Sequence, residues 1–111
     1  MFTALAALGL MLQSSSEGLV SYEEAVRCAG LTQAASELEG GESPEGRALY
    51  DAALYWSLAA MRAGTAAGRT SQAAENDQTR ARIEGVRQLS ADAPAARAAL
   101  RQCRERAPKL D

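Results

Sequence analysis

The chain has 111 residues, a net charge of −2, no histidine and two cysteines. This length fits one domain, and the near-balanced, slightly acidic charge argues against a nucleic-acid partner. The missing histidine removes the usual ligand of zinc and haem and the commonest general base, so no metal, cofactor or catalytic residue is expected. Aromatic residues are 5% of the chain while hydrophobic residues are 47%, mostly alanine and leucine. That composition favours helices.

Residues 2–12 (FTALAALGLML) form an apolar run, followed by Gln13, Ser14, Ser15 and Ser16 before the first charge at Glu17. This is the outline of a signal peptide, an apolar core and then a small-residue cleavage region. Cleavage after Ser16 would remove 1–16 and leave 17–111 as a single helical domain. No Lys or Arg precedes the run, and the first cation is Arg27, so a short core helix of a cytosolic bundle is the competing reading. The run is too short to span a bilayer, which takes roughly 20 apolar residues as a helix.

Four helices are predicted after it. The first is capped by Ser21-Tyr22-Glu23-Glu24, a capping box, and runs to about Leu38 before Gly40-Gly41, with Cys28, Leu31, Ala35 and Leu38 on one stripe. The second begins with Ser43 as N-cap and Pro44 at the first helical position and is expected to end at Gly64. It carries Tyr50, Leu54, Leu58 and Met61 on one side and Leu49, Ala53, Trp56 and Ala60 on a neighbouring side. Two apolar faces predict a central position. The third segment, Ser71 to Ser90, is polar with a narrow Ile83, Val86, Leu89 stripe, and should lie outside, half solvated. The fourth starts near Asp92 and Pro94, ends at Ala107, and places Ala96, Ala99, Leu100, Cys103 and Ala107 on one face.

Cys28 and Cys103 therefore lie on apolar stripes of the first and last helices. In an oxidising compartment they would join in one inter-helix disulfide. Closing so long a loop stabilises a fold by about 4 kcal/mol in the chain-entropy picture. In the cytosol the same pair would be two buried thiols. Arginines near both (Arg27; Arg101 and Arg104) would favour thiolates, yet no histidine base exists to activate one, so an enzyme is not expected.

Charge is uneven. Through Asp51 the chain carries about −6, and the remainder about +4. The basic end, Arg97, Arg101, Arg104, Arg106 and Lys109, suits the C-terminal pole of a helix dipole, with the acidic half as its intramolecular partner. Glu37, Glu39, Glu42 and Glu45 do not follow calcium-loop spacing and read as a solvated loop.

Tyr50, Tyr55 and Trp56 are the one aromatic cluster, and the stretch from Tyr50 to Gly64 (YDAALYWSLAAMRAG) resembles the second helix of a Sel1-like repeat, a relative of the tetratricopeptide hairpin. The matching positions are Tyr50, Ala53, Leu54, Trp56, Ala60 and Gly64; no second copy follows. The resemblance implies a scaffold that binds partners, with Tyr50, Tyr55 and Trp56 as candidate contact residues. The competing reading is an ordinary central helix that uses the same Tyr, Leu, Trp and Ala for core packing, and on both readings Trp56 is expected to be largely buried. The expectation is an all-α protein, a four-helix bundle or paired helical hairpins. It would be periplasmic or secreted, with a non-catalytic protein-binding or structural role beside an envelope protein. A small periplasmic stress-protective chaperone is the alternative.

Overall fold

A computed structural model describes residues 20–108 of the chain. The expected leader, residues 1–16, lies outside the described residues, as does Lys109. Four helices form: α1 (Tyr22–Glu39), α2 (Pro44–Ala66), α3 (Ser71–Ser90) and α4 (Pro94–Arg106), with no strand among the described residues.

Local chemistry sets most of the boundaries. Ser21 Oγ accepts from the Glu24 N–H (3.1 Å), Ser43 Oγ from the Gly46 N–H (2.9 Å) and Thr70 Oγ1 from the Ala73 N–H (3.1 Å). Each satisfies a donor that a helix start would otherwise leave open. Gly64 does not stop α2; it is helical and buried, with Tyr22 and Ala74 against it. The stop comes at Gly68, whose φ of 80° is the left-handed value of a helix C-terminus. There the Gly68 N–H reaches the Thr65 carbonyl and the Arg69 N–H the Gly64 carbonyl (3.1 and 2.8 Å), the paired bonds of a Schellman motif. Asp92 likewise closes α3 rather than opening α4. It takes φ 59° while the Asp92 and Ala93 N–H groups return to the Leu89 and Gln88 carbonyls. α4 starts on Pro94 without a side-chain cap.

The central helix is α1, not α2. Ala25, Cys28, Ala29, Gly30, Leu31, Thr32, Ala34 and Ala35 are all buried, and at 100° per residue they surround the helix. α2 runs antiparallel to α1, bringing Tyr22 to Gly64 and Gln33 to Ser57. α3 runs parallel to α1: Tyr22 meets Asp77, Gly30 meets Ala81, Ala34 meets Gly85 and Glu37 meets Arg82. α4 is fastened to α1 by the Cys28–Cys103 disulfide (Cα–Cα 5.4 Å), which joins positions 75 apart.

Small side chains are what allow α1 to be covered on all sides. A Cβ on Gly30 would stand 2.5 Å from the Ala81 Cβ and 2.6 Å from its carbonyl carbon, so α3 touches α1 backbone to backbone. The same closeness explains α3. Its buried residues are Ala74, Gln78 and Gly85, while Ile83 is 57% exposed. Gln78 is tolerated inside because its Nε2 donates to Met61 Sδ (3.3 Å) and buried amides need partners.

Gly30→Ala should push α1 and α3 apart and lower stability by about 1–3 kcal/mol, the usual cost of overpacking, even though alanine is the better helix former. Gly41→Ala, with no atom within 4 Å of the added Cβ and no left-handed φ, should be neutral. Urea unfolding of both variants checks the contrast.

Candidate interaction surface

The adjacent aromatic residues of α2 end in three environments because each step along a helix turns about 100°. Trp56 is fully buried. Its Nε1 donates to the Cys103 carbonyl (2.9 Å), and the Arg106 guanidinium lies 5.7 Å from its ring centroid. Arg106 also pairs with Glu24 at the start of α1. Trp56 is thus a core anchor for the last turn of α4, with no surface of its own to present to a partner. Tyr55, half-buried, stands edge-on to Trp56 with centroids 5.1 Å apart at 80°.

Tyr50 is the exposed member. With Leu54 and Leu58 it makes a row at four-residue spacing on the outer side of α2, these three being 43–59% exposed. Met61, half-buried, continues the row. Exposed aromatic and aliphatic groups aligned on one helix are a recognised form of protein contact surface.

A polar cluster that sequence reasoning missed joins three elements. The Tyr22 hydroxyl donates to Asp77 Oδ2 (2.7 Å), Arg69 Nε donates to the Tyr22 oxygen (3.2 Å), and Arg69 also pairs with Asp77 (2.7 Å). Arg80 adds a second cation on Asp77. The Tyr22 hydrogen bond, with help from Arg69 and Arg80, holds the Asp77 carboxyl below its ordinary range. Burial and the acceptor Asp77 push the Tyr22 phenol up. The residues are dozens of positions apart, and no spacing in the chain signals their meeting.

A cleft of about 550 Å³ opens beside this cluster between α1, α3 and α4, floored by Val26, Leu31, Ala81 and Ala99 and edged by Arg27 and Glu84. Glu84 is engaged by Arg87, whose hydrogen bond lowers its pKa. Among the described residues, no group of three or more Cys, Asp or Glu is placed to hold a metal. None of the described helices is long and apolar enough to cross a membrane. On the basic end, Arg104 pairs with Glu45 (2.6 Å), Arg106 with Glu24 and Arg97 with Asp92 (3.0 Å).

Comparison of the chain with protein families, curated proteins and solved structures gives no match.

A carboxyl whose folded pKa is depressed contributes stability above its unfolded pKa and loses it as pH falls through the folded value. Asp77→Asn should therefore lower the melting temperature at pH 6. The gap between variant and wild type should close as pH falls from about 4, the unfolded aspartate range, toward 2. Thermal melts across that range test the Asp77 cluster; a constant gap would show that its charge is not what the fold uses.

Proposed function

We propose that this chain is an exported, disulfide-bonded helical domain that binds protein in a bacterial envelope, without catalysis, through the outer face of α2. The observation carrying this reading is the exposed row Tyr50, Leu54, Leu58. A helix that needed only to pack inward would set polar groups there. The disulfide supports the oxidising compartment, since such bonds form and persist in secreted and periplasmic proteins and are rare in the cytosol. The Sel1-like pattern of residues 50–64 supports the same helix as a scaffold element. In this reading Tyr50 makes direct contact, Tyr55 lies at the margin, and Trp56 acts by fixing the helix that carries them.

The test is co-purification from the envelope fraction with intact mass of the recovered chain. The expected result is a chain starting near Glu17, about 2 Da heavier after reduction, with one stoichiometric partner that Leu54→Asp/Leu58→Asp loses. Both positions are exposed, so the double variant should melt within a few degrees of wild type. A chain starting at Met1 with free thiols, or a partner indifferent to the double variant, would sink the proposal.

One set of contacts favours the second reading, an acid-released protective chaperone. Arg104 holds the Glu45 carboxyl low across the α2–α4 junction, as the Tyr22 cluster does for Asp77. Protonation would release both junctions while the disulfide keeps α4 tethered. This reading predicts reversible binding of an apolar dye below pH 3 together with suppressed aggregation of a client; an unchanged domain at that pH would end it.

A further inference from the structure

The outer face of α2 carries a charge arrangement that names its partner. Asp51 and Arg62 flank the Tyr50, Leu54, Leu58 row, one toward each end. Eleven residues separate them, about 16 Å along the axis and three turns plus about 20° around it. They therefore stand on the same flank of α2 and cannot reach each other within one chain. Neither makes an ion pair among the described residues.

We infer that α2 pairs with α2 of a second copy of this chain, antiparallel and about a two-fold axis. In such a pair the same flank of each helix faces the same flank of the other, and a two-fold interface is self-complementary. Setting Asp51 opposite Arg62 of the copy sets Arg62 opposite Asp51 at once, so one geometry satisfies both charges twice. The axis then passes between Trp56 and Ser57. That point lies within two residues of the middle of α2 (Pro44–Ala66), so the two helices overlap along almost their whole length. Leu54 and Leu58 straddle the axis and pack on their counterparts, while Tyr50 covers the region of Met61. Arg47 falls opposite Thr65 and Ala66, where no like charge opposes it. Alignment of the apolar centre and both charge pairs by a single rotation is what a foreign partner would not require of this helix.

The inference rests on the binding role proposed for α2 and supplies its occupant. The row is short, so the dimer is weak, with a Kd on the order of 1 μM to 1 mM. Sedimentation equilibrium of the disulfide-bonded full chain should show concentration-dependent dimers in that range. Asp51→Arg and Arg62→Asp each replace two attractions by two repulsions and should each weaken the dimer on the order of 10-fold or more. Mixing these two variants one to one should restore dimers, as should the double variant D51R/R62D, because opposite charges again face each other.

A wild-type monomer throughout the range overturns the inference. So do single variants that fail to complement, and so does a dimer that persists in Leu54→Asp/Leu58→Asp, which would have formed elsewhere on the chain. A monomeric wild type that still captures an envelope protein through Leu54 and Leu58 would overturn self-pairing and leave the binding role standing. Complementing charge variants without any captured protein would make the second copy the partner.

Discussion

Cys103 is held at two of its atoms, and α4 depends on both. Its sulfur is bonded to Cys28 of α1, and its carbonyl oxygen accepts from the buried indole of Trp56 on α2. α4 is the shortest helix and buries only Ala96, Ala99 and Cys103. Two alanines and a half-cystine remove little apolar area, on the order of 1–3 kcal/mol at usual transfer values, too little to order a helix of this length by itself. The covalent link reduces the entropy cost of docking it, and the indole bond fixes its rotation. Without that joint α4 would keep only its shallow apolar contacts and the Arg104–Glu45 and Arg106–Glu24 pairs, and one wall of the cleft between α1, α3 and α4 would be loosely held.

The remainder of the core follows from one choice of side chains. α1 is lined mostly by small residues, with Leu31 its one large buried side chain, so neighbours come close enough for backbone contact, as at Gly30 and Ala81. Dispersion falls steeply with separation, so close approach recovers in packing part of what small side chains lack in transfer energy. The cost is intolerance: a single added methyl at the crossing has nowhere to go. It also explains why α3 can be mostly polar and still dock, since Ala74, Gly85 and a hydrogen-bonded Gln78 suffice where the helices already touch.

The number, order and most starts of the helices among the described residues were legible in the sequence, because caps such as Ser21 and Ser43, with Pro44 behind the latter, act over a single turn. The cysteine pairing was legible as one of two readings, since Cys28 and Cys103 on apolar stripes suit either a bridge or two buried thiols, and the structure has the bridge. The ends were less legible. Gly64 and Gly68 are both plausible stops on composition, and packing decided between them by burying Gly64 under Tyr22. The layering was misjudged for a related reason. Weighting large apolar residues puts α2 at the centre, whereas this core ranks helices by how closely they can be approached. The interaction surface was half legible: the row of Tyr50, Leu54 and Leu58 is visible as periodicity, but whether a face is covered depends on partners that periodicity does not contain.

The charge asymmetry of the chain now has a physical use. Three pairs, Glu24–Arg106, Glu45–Arg104 and Glu37–Arg82, connect the acidic first half to the basic second half. Exposed pairs are individually worth little, and their value here lies in direction. Glu24 and Glu45 sit at the starts of α1 and α2, and Arg104 and Arg106 in the last turn of α4. Each charge therefore also opposes the dipole at its own helix end. A slipped or reversed α4 would bring its cations to the wrong poles. Opposite charges placed so that one arrangement satisfies them all specify geometry more than they add stability. Within the chain they orient α4, and on α2 the same logic, with Asp51 and Arg62 too far apart to meet internally, extends to the contact with a second copy.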